Sequence, residues 1–167
     1  ELEELVDVKD NFYLYQDDKT FYQPNKYLMP KMIEFSLSLI SNPRDLLELY
    51  CGSGTFTVPM SRYFNKIFAT ENNRASIGYL NKSIDRNNII NISQSRLSDT
   101  ELTEAFNGRI FRRMNDISLD DYDFSHVLVD PPRSGLNENV VNILNRFENI
   151  IYISCNPETF ERDIINL

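Results

Sequence analysis

Leu46-Leu47-Glu48-Leu49-Tyr50-Cys51-Gly52-Ser53-Gly54 is the stretch that decides the fold. Residues 46–50 form a short, nearly continuous apolar run, the pattern of a strand buried on both faces of a sheet. Gly52-Ser53-Gly54 then turns the chain, because glycine reaches positive φ without a steric cost. A helix over 56–63 is expected next. Downstream the pattern recurs, with strands at 66–70 (followed by Glu71), 89–93, 125–129 and 149–154. Helices over 74–87, 100–106, 138–146 and from about Pro157 separate and follow them. Regular alternation of this kind predicts an α/β fold with a doubly wound, mostly parallel sheet.

Upstream of the deciding stretch, residues 6–23 alternate aromatic and polar side chains around Asp17-Asp18-Lys19, which predicts a β-hairpin turning at those three residues. Gln23-Pro24-Asn25 breaks that pattern. An amphipathic helix should follow to about Ile40, with Met29, Ile33, Leu37 and Ile40 on one face and Pro30 in its first turn. Asn42-Pro43 ends it. The chain therefore divides into a hairpin and linker over 1–23, entered from an upstream region, and a main domain over 24–167. It contains no internal repeat and no low-complexity segment.

Bulk properties narrow the function classes. The 167 residues are 41% hydrophobic and 25% charged, which suits one soluble globular domain. No apolar run approaches the roughly 20 residues of a membrane span, and no signal peptide heads the chain. Two cysteines do not make a disulfide framework, so a reducing, cytoplasmic setting is expected. One histidine makes a His-based metal site improbable, and no metal is expected. The net charge of −8 argues against a nucleic-acid partner when taken alone. However, Glu1, Glu3, Glu4, Asp7, Asp10, Asp17 and Asp18 crowd the first 20 residues, leaving the body only slightly acidic. Arg109, Arg112 and Arg113 form a local basic run that is either a solvated loop or part of an RNA contact.

In an open α/β sheet, ligands collect at the carboxyl ends of the strands. Three features fall on that edge. The Gly52–Gly54 turn aims helix N–H groups at a ligand but lacks the third glycine of a dinucleotide fingerprint, because Val58 follows instead. Glu71, ending the next strand, is placed to accept hydrogen bonds from both ribose hydroxyls. Two glycines without a phosphate-binding lysine suit a small nucleoside such as S-adenosyl-L-methionine; the plainer alternative is a bare tight turn beside a surface glutamate. Second, Asp130-Pro131-Pro132-Arg133 is a stiffened strand exit that fixes where Asp130 points, or else a rigid loop with a solvated aspartate. Third, Cys155 lies between a strand end and a helix N-terminus, whose dipole favours the thiolate. Cys51 reads as a small buried hydrophobe, and His126 as a structural residue before the fourth strand of the alternation.

Taken together, Gln23-Pro24-Asn25, Leu47 to Gly54, Asp130-Pro131-Pro132-Arg133-Ser134-Gly135-Leu136 and Tyr152-Ile153-Ser154-Cys155-Asn156-Pro157-Glu158-Thr159 resemble the RNA uracil-C5 methyltransferases. Asn107-Gly108 through Arg113 and the Tyr-Ile-Ser-Cys wording favour the bacterial tRNA branch over the ribosomal RNA branch. The resemblance covers nearly the whole chain from Phe12 onward. It implies a Rossmann-like class I S-adenosylmethionine-dependent methyltransferase fold, cut after the fifth strand of a sheet that usually carries two more. It implies that Gln23, Tyr50, Glu71 and Asp130 hold S-adenosyl-L-methionine, with Gly52 and Gly54 in the same turn. Thr55 falls where the tRNA enzymes often carry asparagine.

Cys155 matches the family's nucleophile. The family's general base is a glutamate beyond residue 167, so no residue here takes that part. The implied reaction is methylation of C5 of a tRNA uridine in the T-loop, which must be flipped out to be reached. Addition of the Cys155 thiolate to C6 would make C5 nucleophilic, and Arg133 could face the charge developing on O4. In amino-directed methyltransferases an aromatic residue stands where Arg133 does, which argues against an exocyclic amine target. RNA cytosine-C5 methyltransferases place a second cysteine there. The remaining alternatives are a ribosomal RNA uracil-C5 methyltransferase and a domain that binds S-adenosylmethionine without turnover.

Overall fold

The structure, a computed structural model, describes residues 2–6, 11–17, 25, 27–114 and 116–167. Its centre is a five-stranded sheet in the order β5-β4-β3-β6-β7. The strands are β3 (Asp45–Leu49), β4 (Lys66–Thr70), β5 (Ile92–Ser95), β6 (Phe124–Val129) and β7 (Asn149–Tyr152). Every neighbouring pair runs parallel. The chain leaves β3 toward β4 and β5, then crosses back to β6 on the other side. A crevice therefore opens at the carboxyl ends of β3 and β6, where the winding reverses.

Residue parity explains the two layers. Leu46, Ile67, Ala69, Leu128 and Ile151 point to one face. There they meet Met29 and Ile33 of α1 (Met29–Ser38), Val58 and Met60 of α2 (Thr57–Met60) and Leu80 of α3 (Arg74–Arg86). Leu47, Leu49, Phe68, Val127 and Val129 point the other way. They meet Leu102 and Ala105 of α4 (Asp99–Phe106) and Val140 to Leu144 of α5 (Glu138–Leu144). A strand buried on both faces has no polar side, which is why β3 reads as an apolar run. A last helix, α6 (Pro157–Ile164), follows β7. No helix among the described residues is long and apolar enough to cross a membrane.

The same edge carries the helix starts. Asn73 caps α3 by accepting from Ala75 N and Ser76 N. Ser98 and Glu101 form a reciprocal capping box on α4. Asn137 caps α5, and Asn156 caps α6 with Pro157 behind it. Each cap satisfies helix N–H groups that have no intrahelical partner.

Three expectations shift. The hairpin pairs β1 (Leu2–Val6) with β2 (Phe12–Gln16), so its turn precedes residue 12 rather than falling at Asp17. Asp18 and Lys19 lie outside the described residues. The first strand, with acidic side chains such as Glu3, begins before the aromatic alternation expected from Val6 onward. The strand at 89–93 instead begins at Ile92. Ile89 N bonds Ile84 O and Asn88 N bonds Asp85 O, with Asn88 at φ +52°. That is a Schellman closure of α3, and it leaves Ile90 98% exposed. His126 lies inside β6, near its N-terminal end, rather than before it.

The hairpin docks on α3 instead of extending the sheet. Tyr13 N donates to Asn87 Oδ1 at 3.0 Å, and Asn87 Nδ2 donates back to Tyr13 O at 2.8 Å. Tyr15 N donates to Ser83 Oγ at 3.0 Å. Helix side chains thus serve an edge strand's backbone, while Val6, Phe12 and Leu14 enter the core beside α1.

Candidate active site

The exits of β3 and β4 are closed by one carboxylate. Glu71 Oε2 accepts from Gly52 N at 3.1 Å, and Oε1 accepts from Asn73 N at 2.7 Å. Tyr50 and Gly52 both hold positive φ, 58° and 56°, which folds the turn back toward Glu71. Each carboxylate oxygen keeps a lone pair for a further donor. Glu71 and Tyr50 line a cavity of about 370 Å³ together with Leu49, Leu97, Asp99 and Asn137.

Gly54 has a different use. A Cβ there would lie 2.6 Å from Leu80 Cδ1, at φ +97°. Its bare backbone lets α3 pack against the turn, so its part in the site is indirect. Thr55 is half-buried in the same turn.

Electrostatics mark this half of the edge. Glu48, 1% exposed, is pushed up to about 8 by burial, with the nearby charge of Asp130 adding to the rise and Thr57 opposing it. Across the crevice, at the exit of β6, burial also raises Asp130 to about 6. Burial, then the charges of Glu48 and Glu71, hold the Cys51 thiol well above its ordinary value, so it stays protonated. Tyr50 is raised by burial first and by Asp99 second. The buried hydroxyl of Tyr50 lies beside Asp99 without closing a hydrogen bond. Orphaned polar atoms are rare in a folded core, and this one stands at the rim of a cavity.

The exits of β6 and β7 are exposed and laced together. Cys155 is a free, exposed thiol between Tyr152, the last residue of β7, and the start of α6. Asn156 Nδ2 and Thr159 Oγ1 both donate to Arg133 O, at 3.1 and 3.2 Å. Ser154 Oγ donates to Asn156 O at 3.0 Å and accepts from Asn156 N at 3.1 Å. The loop bearing Cys155 is therefore attached to the loop that leaves Asp130. The Arg133 side chain points to solvent and makes no ion pair among the described residues.

The fold thus gathers Tyr50, Gly52, Glu71, Asp130, Arg133 and Cys155 on one sheet edge, with Tyr50 and Glu71 in the cavity wall. Gln23 lies outside the described residues. Asp99, Leu97 and Asn137 entered the cavity wall unannounced; the only sequence signal was the Ser98-to-Glu101 capping pattern, which reads as a helix start. Of the basic run, Arg109 pairs with Glu104 at 2.5 Å and Arg113 pairs with Glu101, which leaves Arg112 exposed without either partner. His126 is buried at the opposite edge, with Nδ1 2.8 Å from Ser125 Oγ.

The cavity suits a nucleoside. It offers carboxylate acceptors at Glu71 and Asp99 for hydroxyl and amine donors, and apolar walls at Leu49, Leu97 and Leu102. Among the described residues no group of three His, Cys, Asp or Glu is placed to hold a metal ion.

A doubly wound parallel sheet with a nucleoside-sized cavity and the carboxylate of Glu71 at its carboxyl edge defines a Rossmann-like methyltransferase fold. The chain belongs to the tRNA (uracil-5-)-methyltransferase family, whose sequence model matches residues 1–167. It is 46% identical over 151 residues to a tRNA/tmRNA (uracil-C(5))-methyltransferase of Campylobacter curvus, covering 90% of this chain and 42% of that one. A protein of the same description from Saccharophagus degradans is 44% identical over 169 residues, covering 99% and 46%. The chain thus spans less than half the length of these relatives.

Among solved structures, the Pyrococcus abyssi tRNA (uracil-54, C5)-methyltransferase in complex with S-adenosyl-L-homocysteine superposes with a TM-score of 0.75 at 27% identity. That match covers 99% of this chain and 37% of the other. A precorrin-8w decarboxylase from Methanobacterium thermoautotrophicum shares the fold alone, with a TM-score of 0.67 at 12% identity.

Proposed function

We propose that this chain is the methyl-transferring part of a tRNA uracil-C5 methyltransferase that uses S-adenosyl-L-methionine and modifies the T-loop uridine. The observation that carries the reading is the placement of an exposed Cys155 thiol on the strand exit tied to the Asp130 loop, on the same carboxyl edge of the sheet as a nucleoside-sized cavity. Family membership across the whole chain supports it, as does the S-adenosylhomocysteine held by the Pyrococcus relative.

Glu71 would accept hydrogen bonds from the cofactor's ribose hydroxyls, with Tyr50 and Asp99 lining the same cavity, and Asp130 would contact the cofactor from the exit of β6. When bound, S-adenosyl-L-methionine supplies the sulfonium methyl that C5 accepts. Uracil C5 is too electron-poor to attack unaided. The Cys155 thiolate adds to C6, forming the S–C6 bond and moving the C5–C6 π electrons toward O4 as an enolate. Arg133 would meet the charge developing on O4. Once C5 carries the methyl, its proton leaves to a base, and the returning electrons expel the thiolate.

A full-length protein carrying this chain is expected to form a covalent adduct with 5-fluorouridine-substituted tRNA, because fluorine at C5 cannot leave as a proton does. Cys155→Ala should abolish that adduct while retaining S-adenosylhomocysteine binding, read by denaturing gel and calorimetry. An undiminished adduct in the alanine variant would overturn the assignment of Cys155. Label transfer to ribosomal RNA in preference to tRNA would overturn the substrate.

A further inference from the structure

Outside the cavity, a buried charged cluster spans the two loops of the reactive half. Asp163 of α6 is 2% exposed. Its Oδ2 accepts from Leu136 N at 2.8 Å and from the Tyr152 hydroxyl at 2.7 Å. Its Oδ1 faces Arg162, with Nε at 2.9 Å and Nη2 at 2.6 Å. Arg162 Nη2 also donates to Ser134 O at 3.0 Å and Leu136 O at 3.2 Å. Gly135 sits within this cluster at φ +75°, where a Cβ would lie 2.4 Å from Arg162 Nη2 and 2.6 Å from Asp163 Oδ2. The Tyr152 ring packs edge-on against Phe160 of α6, with centroids 5.1 Å apart.

The topology gives the cluster its meaning. Cys155 lies on a short span anchored at Tyr152 on one side and at Asn156 on the other. Both anchors are tied to the segment just after Asp130: Tyr152 through Asp163 to Leu136, and Asn156 directly to Arg133 O. We infer that Asp163, with Arg162 as its counter-ion, is a positioning residue that fixes the Cys155 loop relative to the Asp130–Arg133 loop. The inference rests on the reading of Cys155 as the nucleophile. Placement of a reacting atom is worth much, since a displacement of about 1 Å can cost roughly a hundredfold in rate. Burial alone would raise the Asp163 carboxyl, but hydrogen bonds from Tyr152 and Leu136 and the charge of Arg162 hold it below its ordinary value. It therefore stays ionised at neutral pH and, as a latch, keeps its hydrogen bonds from Tyr152 and Leu136.

A carboxylate of similar burial offers a control. Asp45, 3% exposed at the opposite edge of the sheet, accepts from Lys66 N at 3.0 Å and Asp123 N at 2.7 Å. In the full-length protein, Asp163→Asn and Asp45→Asn are compared for melting temperature, S-adenosylhomocysteine affinity, and adduct rate with 5-fluorouridine-substituted tRNA. Both should melt earlier and both should keep affinity within about threefold. Only Asp163→Asn should slow adduct formation, by at least about tenfold.

Tyr152→Phe, which removes a single donor, should slow it severalfold; it decides the matter alone if Asp163→Asn does not fold. Equal slowing in Asp163→Asn and Asp45→Asn, or an unchanged rate in Asp163→Asn or Tyr152→Phe, overturns the inference. Amide exchange over 133–136 and 153–158 separates this failure from failure of the functional reading. If the wild type forms no adduct, the nucleophile assignment falls. The latch is then judged by whether both segments exchange faster together in Asp163→Asn; acceleration in only one overturns it.

Discussion

The two halves of the sheet's carboxyl edge are built on opposite lines. At the exits of β3 and β4, polar groups are buried and left partly unsatisfied: among the described residues Tyr50's hydroxyl closes no hydrogen bond, and Glu48 sits with a raised affinity for protons. At the exits of β6 and β7, the chemically interesting side chains are exposed, and the groups behind them are fully hydrogen-bonded. A binding cavity keeps vacant hydrogen-bonding capacity for its ligand. A reactive loop needs fixed geometry more than spare capacity, so its support is complete.

The largest expected disturbance of that contrast is Gly135→Ala. Positive φ and the approach of Arg162 and Asp163 should cost about 1–3 kcal/mol of stability, measured by urea unfolding. Adduct formation should fall with it, while S-adenosylhomocysteine binding stays within about threefold, since every residue lining the cavity except Asn137 comes from the β3, β4 and β5 side. Equal loss of binding would erase the distinction between the halves. Glu71→Gln tests the binding half. One of the two backbone N–H groups at Gly52 and Asn73 then faces an amide N–H instead of an oxygen, and a ribose acceptor is lost. Affinity for S-adenosylhomocysteine should drop about tenfold, or roughly 1.4 kcal/mol, by calorimetry.

The smallest effect on the contrast itself concerns Glu48, because it is read in stability alone and not in binding or adduct formation. A carboxyl whose folded pKa is raised binds its proton more tightly in the native state, so stability is greatest below its unfolded value. It declines as pH rises from the ordinary carboxylate range through about 8, where Glu48 ionises. Glu48→Gln should flatten the fall in unfolding free energy between pH 5 and pH 8. An unchanged slope would locate the pH dependence elsewhere, with Asp130 next in line.

What could be read from the chain beforehand follows the physics of each signal. The parity of Leu46 and Glu48 against Leu47 and Leu49 is local, so the two-faced sheet was legible. So were the strand exits, because Gly52, Asp130-Pro131-Pro132 and Asn156-Pro157 are local punctuation. Ile89 and Ile90 looked like the start of a strand because apolar β-branched residues carry that signal; the Schellman closure at Asn88 overrode it. The latch was invisible. Asp163 and Leu136 stand 27 residues apart, and nothing in an Arg-Asp pair near a helix end names its distant partner. Asp99 was hidden for a related reason: its sequence context announces a helix start, and only the neighbouring strand order turns it toward the cavity.

One element joins regions that otherwise share little. Helix α3 begins at Asn73, whose N–H is held by Glu71, and ends at Asn87, whose amide grips the hairpin backbone. Its 13 residues make a rod about 20 Å long, clamped at one end to the cavity wall and at the other to β2. The hairpin and the binding cavity therefore hold opposite ends of the same helix, although none of the hairpin's described residues lines that cavity.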